Sequence, residues 1–432
     1  MKKTFLIETL GCKVNQYESE SLREMLLAEG YEEAEDGLLP DVAIFNTCCV
    51  THLAERKSRQ TIRKYARMVP KPTIAVLGCY SQIATGDIEK IEGVNLIMGA
   101  RDKGSLIRRI KIIENNKTLV FNDSIIGEDK YEDIGLNNHS GKTRAFIKIQ
   151  DGCDNFCSYC IIPYTRGRSR SRPFESIRKE AVLLAKRGYN EVVLIGIQSA
   201  FYGNDLEGDI ELIDVVESLS GIEGINRIRL GSCEPTYFTG DRLRRLSGIK
   251  EFCPHFHLSL QSGSDTILKA MNRKYSKTEY SKIMKDIRNI FDNPAVTTDL
   301  IVGFPGETDE LFEETLLFIK KMTFKDIHVF RYSKRKGTAA AELPDHVNPS
   351  VVKSRSNAAM ECAIECAEDF AKTQIGKKEQ VLFEGVCKDG IWEGHCMNFM
   401  KVRVKSKEYL SGQIRQVRLD CADGDVTCGE IV

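Results

Sequence analysis

Ala145-Phe146-Ile147-Lys148-Ile149-Gln150-Asp151-Gly152-Cys153-Asp154-Asn155-Phe156-Cys157-Ser158-Tyr159-Cys160 sets an apolar run directly before three cysteines. The run predicts a strand, and Cys153, Cys157 and Cys160 predict a tight loop at its carboxyl end. Three thiolates on one loop cap three irons of a cubane cluster and leave the fourth iron open. The competing reading is zinc, which as a structural ion takes four protein ligands, usually in two Cys-x-x-Cys pairs. No second pair follows, and the next cysteine, Cys233, is far along the chain. Iron–sulfur is therefore the expectation.

Downstream, five more short apolar runs (191–197, 227–230, 255–260, 297–302 and 327–330) alternate with helical stretches. Six parallel strands predict an open partial barrel rather than a closed eight-fold one. Polar residues at the carboxyl ends of barrel strands read as site residues. Gln198, Ser232, Glu234, Ser259, Gln261, Thr298 and Asp299 stand there. Gln198 and Gln261 have amides that bridge donors and acceptors. Ser232 and Thr298 are equally suited to capping the next helix. His255 and His257 share a strand face and read as barrel lining, not a metal site.

Upstream, runs at 3–8, 42–45, 73–77 and 96–98 alternate with helical stretches, which predicts a doubly wound parallel sheet. Asn15 is placed to cap a helix that carries Leu22, Met25 and Leu26, and a basic helix is expected over 54–67. Cys12, Cys48 and Cys79 each lie just past a strand. The carboxyl ends of parallel strands share one edge, so these cysteines can converge and hold a second three-thiolate cluster. Cys49 adjoins Cys48 and is an alternative ligand. The bland reading, three buried apolar cysteines, leaves their repeated placement unexplained. Cys362 and Cys366, one helical turn apart, read as core.

The polar stretch 122–142, with Gly127, Gly135 and Gly141, reads as a linker. A charged helix over 351–376 should leave the partial barrel. The remainder, 379–432, has short alternating runs split by Gly and Asp, which predicts a small all-β barrel.

The 432 residues carry 62 basic and 62 acidic side chains and are 42% hydrophobic. That composition excludes a disordered tail and a globally basic nucleic-acid coat. No run of 18 apolar residues suggests a membrane span. Glu8 interrupts the opening too early for a secretory segment. With 15 cysteines, ligation in a reducing cytoplasm is expected rather than a disulfide framework. Between Lys142 and Arg172 there are seven basic residues and two acids. Arg166, Arg168, Arg170 and Arg172 alternate, and if extended they present one basic face for phosphate or carboxylate. Lys401, Arg403, Lys405 and Lys407 repeat the pattern in the last domain, where Phe399 and Trp392 offer rings for base stacking.

The loop from Cys153 to Cys160 resembles the cluster loop of radical S-adenosylmethionine enzymes. Thr9-Leu10-Gly11-Cys12-Lys13-Val14-Asn15-Gln16, Asn46-Thr47-Cys48 and Gly78-Cys79-Tyr80 resemble the amino-terminal domain of the methylthiotransferases. The final barrel is similar to their TRAM domain, with Gly394-His395-Cys396-Met397-Asn398 at its Gly-x-x-x-Asn element. The opening motif is closer to the branch that modifies threonylcarbamoyladenosine at tRNA position 37. The resemblance implies a domain plan of 1–122, a linker 123–142, a radical-SAM partial barrel 143–372 and a TRAM barrel 373–432.

It further implies two [4Fe-4S] clusters, on Cys153/Cys157/Cys160 and on Cys12/Cys48/Cys79, with Cys48 preferred over Cys49. Two S-adenosylmethionine molecules per turnover would serve as radical source and methyl donor. Gln198, Ser232, Gln261 and Asp299 would bind cofactor, and Arg166, Arg168, Arg170, Lys401 and Arg403 would bind RNA. The partners implied are a tRNA anticodon stem-loop and a reductant such as flavodoxin or ferredoxin, with no DNA and no membrane. The alternatives are isopentenyladenosine or a ribosomal-protein aspartate as target, or a non-catalytic iron–sulfur regulator that binds RNA.

Overall fold

In the computed structural model, described for residues 2–35, 37–113, 118–122, 125, 130–136 and 143–432, the chain forms three layered units. The first is a six-stranded parallel sheet. Its order is Glu32–Glu33, Thr4–Thr9, Val42–Thr47, Thr73–Gly78, Val94–Met98 and Leu119–Phe121. Every residue of Val42–Thr47 is buried, as expected for a central parallel strand covered on both faces. One face packs Phe45 and Val76 against Ile62 and Tyr65, and the other packs Phe5 and Ile44 against Leu22 and Leu26. The two short edge strands have too few residues to stand out in the sequence.

The first helix is Lys13–Ala28, so Asn15 lies inside it rather than at its cap. Its amide donates instead to the carbonyls of Leu10 (2.8 Å) and Thr47 (3.1 Å), which ties two cysteine-bearing loops together. Gly127, Gly141 and Lys142 of the expected linker lie outside the described residues. Within the rest of it, Tyr131 donates to the Lys148 carbonyl at 3.0 Å, and Asp133 pairs with Arg172 at 2.8 Å.

The second unit has parallel strands Arg144–Lys148, Glu191–Ile195, Arg227–Leu230 with Ser232–Cys233, His255–Leu258, Ala295–Val302 and Asp326–Arg331. Gly231 interrupts the third strand and divides the wall into two sheets. Among the described residues the first and last strands do not pair, so the barrel is open. Helix Lys13–Ala28 of the first unit lies in that opening, where Val14 and Tyr17 pack against Val193 and Ile195. Helix Pro349–Lys372 does not leave this barrel. It buries Ala359, Cys362, Ala363 and Cys366 in the same core, because its small residues allow close approach to the last strand and to helix Asp309–Met322.

The third unit is a closed five-stranded barrel of Lys378–Val386, Ile391–Cys396, Lys401–Lys405, Ile414–Asp423 and Val426–Ile431. Trp392 is buried in its core with Val381, Phe383 and Val404, so it is no stacking platform. This barrel closes the amino-terminal end of the partial barrel. Buried Arg227 donates to the carbonyls of His395 (2.9 Å) and Gln380 (2.6 Å), and Arg229 to that of Met397 (2.8 Å). Phe399 stacks between His255 and His395, at 4.8 and 4.6 Å. Arg144 and Arg229 sit over its ring at 4.9 and 4.8 Å. Asn398 is also turned inward, onto Asn293 and Gln374. The Gly394–Asn398 element and Phe399 thus face the protein rather than an RNA.

Candidate active site

The loop after the first barrel strand is built for close backbone approach. Gly152 has φ +74°, and a Cβ there would fall 1.9 Å from the Arg168 carbonyl. The Cys153 N–H donates to Gly167 (3.1 Å), and the Ser158 N–H to Met271 (3.0 Å). Asn272 donates its amide to the Phe156 carbonyl at 2.9 Å, and Ala340 donates to Ser158 at 2.7 Å. So pinned, Cys153, Cys157 and Cys160 lie within one another's electrostatic reach. Burial, then the neighbouring sulfurs, push the Cys153 and Cys160 thiols up to about 12. A cation is needed to hold such a set as thiolates, which fits an iron–sulfur cluster.

Beside this loop lies a hub on Glu234. Its carboxylate accepts from Asn155 of the loop (3.1 Å), from Gln198 (3.2 Å) and from Arg273 (3.0 Å). Arg273 also donates to Cys157 Sγ at 3.2 Å and to Tyr275 Oη at 3.1 Å. Burial raises the Glu234 carboxyl and Arg273 opposes that rise. Arg273 is absent from the sequence-based set, because a basic residue in Asn272-Arg273-Lys274 is indistinguishable there from a solvated charge. Gln198 and Glu234 are brought together as strand-end positions suggest. Ser232 is exposed, and pairs in register with His257. Gln261 is buried at φ +68°, its backbone bonded to Asp299 and Ile301. Thr298 is structural: its hydroxyl binds the Leu258 carbonyl and the Leu260 N–H. Asp299 accepts from His257 and His328, each at 3.2 Å. The ligand atoms of these three side chains lie within 4.8 Å of one another.

Cys12, Cys48 and Cys79 follow three adjacent strands of the amino-terminal sheet. Gly11, at φ +113°, permits the meeting: a Cβ there would fall 2.8 Å from Cys48 Cβ and 3.0 Å from its sulfur. Cys48 feels the charges of both Cys12 and Cys79, and burial pushes its thiol up to about 11. Cys49 turns into the apolar core with Ile62 and Tyr65. Neighbouring Cys49, together with Arg166, brings the Cys79 thiol down to about 6. Arg166 Nε lies 3.2 Å from Cys79 Sγ. Arg166 ends helix Ile162–Arg166, which begins two residues after Cys160, so the arginine that touches Cys79 is one short helix away from the Cys160 loop.

Three comparisons bear on this arrangement. A family model described as the Radical SAM superfamily matches residues 147–319, and one described as Uncharacterized protein family UPF0004 matches residues 4–99. The threonylcarbamoyladenosine tRNA methylthiotransferase MtaB of Bacillus subtilis is 36% identical over 96% of this chain and 93% of its own length. The chain belongs to the radical S-adenosylmethionine methylthiotransferase family. A Chlamydia pneumoniae protein with the same name as the Bacillus subtilis relative is 37% identical over 100% of this chain and 99% of its own length. A tRNA-2-methylthio-N(6)-dimethylallyladenosine synthase of Clostridium botulinum is 37% identical over 89% of this chain and 87% of its own. In fold, the chain is similar to the radical S-adenosylmethionine methyltransferase TsrM from Kitasatospora setae, with TM-score 0.54 and 14% identity over 77% of this chain and 75% of that one. As a radical-SAM enzyme it uses a [4Fe-4S] cluster and S-adenosylmethionine.

For this methylthiotransferase the basic run after the cluster loop needs correction. It is not an extended face. Arg166 is fully buried, with Glu18 (2.8 Å), Asp151 (3.0 Å) and Asn15 (2.7 Å) as partners. Arg170 is buried against the Arg166 and Arg168 carbonyls, and Arg172 against Glu180 at 2.7 Å. Their alternation matches inward ion pairing, so Arg166 and Arg170 offer nothing to RNA. Arg168 alone of the four is exposed; it pairs with Asp154 at 3.1 Å and lies 5.1 Å over the Phe156 ring. Arg403 pairs with Glu393 at 3.2 Å and Lys401 lies 3.8 Å from it, both partly exposed on the last barrel. No helix among the described residues is long and apolar enough to cross a membrane.

Proposed function

We infer that this chain inserts sulfur at C2 of N6-threonylcarbamoyladenosine 37 in tRNA and methylates it. The observation that carries the reading is Arg166, which follows the Cys160 loop and touches Cys79 of the other cysteine set. It supports one reaction cleft with two three-cysteine sites, Cys153/Cys157/Cys160 and Cys12/Cys48/Cys79. When bound, a [4Fe-4S] cluster held by Cys153, Cys157 and Cys160 would supply one-electron radical chemistry with S-adenosylmethionine, and a second held by Cys12, Cys48 and Cys79 would supply sulfur, with a further S-adenosylmethionine as methyl donor.

The chain's own groups bind and orient. Glu234 and Arg273 set a carboxylate and a guanidinium beside Cys157, complementary to the ammonium and carboxylate of an amino-acid moiety. Gln198 holds Glu234 from both sides, donating to its carboxylate and accepting from its N–H at 3.1 Å. Exposed Phe156 and Tyr164, rings 6.1 Å apart, offer faces to unstacked anticodon bases, with Arg168 at hand for phosphate. A low-potential carrier such as flavodoxin or ferredoxin would supply the electron.

The second reading, dimethylallyladenosine as target, is favoured by the relatives of that name at equal identity. Nucleoside mass spectrometry separates the two. Reconstituted enzyme, reductant and S-adenosylmethionine are incubated with tRNA of each kind. A gain of one sulfur plus one CH2 on threonylcarbamoyladenosine alone is expected. A gain only on dimethylallyladenosine overturns the substrate, and a gain on neither overturns the tRNA reading.

A further inference from the structure

The inner wall of the partial barrel carries a polar triad with no task in the scheme above. Asp299 Oδ2 lies 3.2 Å from His257 Nε2, and Asp299 Oδ1 lies 3.2 Å from His328 Nδ1. Strand register explains the meeting. His257 is level with Thr297, and Asp299, two residues on, is level with His328. Three adjacent strands thus present the triad on one face. The alternate residues Phe256, Leu258, Val296, Leu300 and Ile327 go to the apolar core on the other face. His255 shares the face of His257 but is stacked on Phe399 at 4.8 Å and is no part of the triad.

The outer ring nitrogens are held as those of metal-binding histidines are. His257 Nδ1 lies 2.9 Å from Thr297 Oγ1, and His328 Nε2 faces Asp326 Oδ2 at 3.5 Å. A metal-bound histidine gives its other N–H to an oxygen in this way, which fixes tautomer and ring orientation. With protons on the outer nitrogens, His257 Nε2 and His328 Nδ1 both turn lone pairs toward the Asp299 carboxylate. Three electron-rich groups converging on one point call for a cation between them. The spacing fits one: 3.2 Å is close to roughly 3.3 Å, the edge of a tetrahedron with metal–ligand bonds of about 2.0 Å. The His328 side chain is 53% exposed, so an ion has a way in.

We propose that His257, Asp299 and His328 bind one divalent transition-metal ion. Two imidazoles and a carboxylate suit zinc and its neighbours, whereas magnesium and calcium take sets of oxygens. Three protein ligands leave a further position for water or for an oxygen of a molecule in the barrel, as in open zinc sites. None of the three lies in a cysteine loop, so the ion would be additional to anything the six cysteines hold. The inference does not depend on which tRNA base is the target.

The test uses zinc on anaerobically reconstituted full-length enzyme, without substrate. The protein is treated with a chelator, given a small molar excess of zinc, desalted, and assayed for zinc and iron. Native enzyme should keep about one zinc per chain beside its iron. The zinc X-ray absorption edge should show nitrogen and oxygen ligands at about 2.0–2.1 Å and no sulfur at about 2.3 Å. His328→Ala, a change at a half-exposed ring, should keep its iron and lose the zinc. Asp299→Asn is the second variant, should His328→Ala lose iron. Thr297→Val, which removes only the oxygen behind His257, should weaken zinc binding by about ten- to hundred-fold in chelator competition. Iron-replete native enzyme that keeps no zinc overturns the proposal. Zinc bound through sulfur overturns it too, since that ion sits on cysteines, as does native zinc content in iron-replete His328→Ala or Asp299→Asn enzyme.

Discussion

At the residue scale, the informative side chains are buried charges with several partners. Arg166 joins Glu18, Asp151 and Cys79, and Lys103 and Lys148 complete the cluster. Arg166→Met should destabilise the fold by about 3–5 kcal/mol in urea titration, since two carboxylates lose their main partner. Arg168→Ala should leave stability unchanged and weaken tRNA binding, lowering the salt slope by about one. Arg273→Gln should raise the KM for S-adenosylmethionine by about ten-fold or more in the uncoupled cleavage assay, through loss of a guanidinium beside Cys157 and Glu234. Glu191 gives a pH dependence. Arg229, Arg144 and Arg227 outweigh burial and hold its carboxyl down to about 2. Its contribution is therefore present above the unfolded value near 4.3 and lost as pH falls through about 2. Glu191→Gln should flatten stability against pH between about 4.5 and 2, as read by denaturant midpoints.

At the element scale, the last barrel is the most consequential. As a free RNA-binding module it could be removed near Gly376 while S-adenosylmethionine cleavage survived. The structure predicts otherwise, because Arg227 and Arg229 at the foot of the third barrel strand donate to its carbonyls. Truncation leaves these guanidinium groups without those acceptors and uncovers the barrel floor. Truncated protein should show a lowered Tm and lowered cofactor cleavage together. Phe399→Ala, which removes only the stacked ring, should cost about 1–3 kcal/mol and preserve the five-stranded barrel.

For the whole molecule, the two cysteine sets belong to different units, so the proposed pairing of the two sites depends on the interface between those units. Helix Lys13–Ala28 provides much of that interface: Glu18 meets Lys148 at 2.8 Å, and Tyr17 meets Glu180 at 2.9 Å. Anaerobic reconstitution should give about eight irons per chain, four per cubane. The Cys12→Ala/Cys48→Ala/Cys79→Ala variant should hold about half of that and still cleave S-adenosylmethionine. Full iron in that variant would refute the second site.

The sequence by itself determined the order of units, the parallel strands and the grouping of the six cysteines. Each rests on local pattern: apolar runs of strand length, a three-residue cysteine spacing, and cysteines recurring where strands end. Only the tertiary structure decided which polar residues meet. Arg166, Arg168 and Arg170 look equivalent in a row, yet two are buried and one is not, because partners for the buried ones come from Glu18 and Asp151. Arg273 gains meaning only beside Cys157 and Glu234. Charge pairing is a matter of distance in space, and residues far apart in the chain leave no local trace of it.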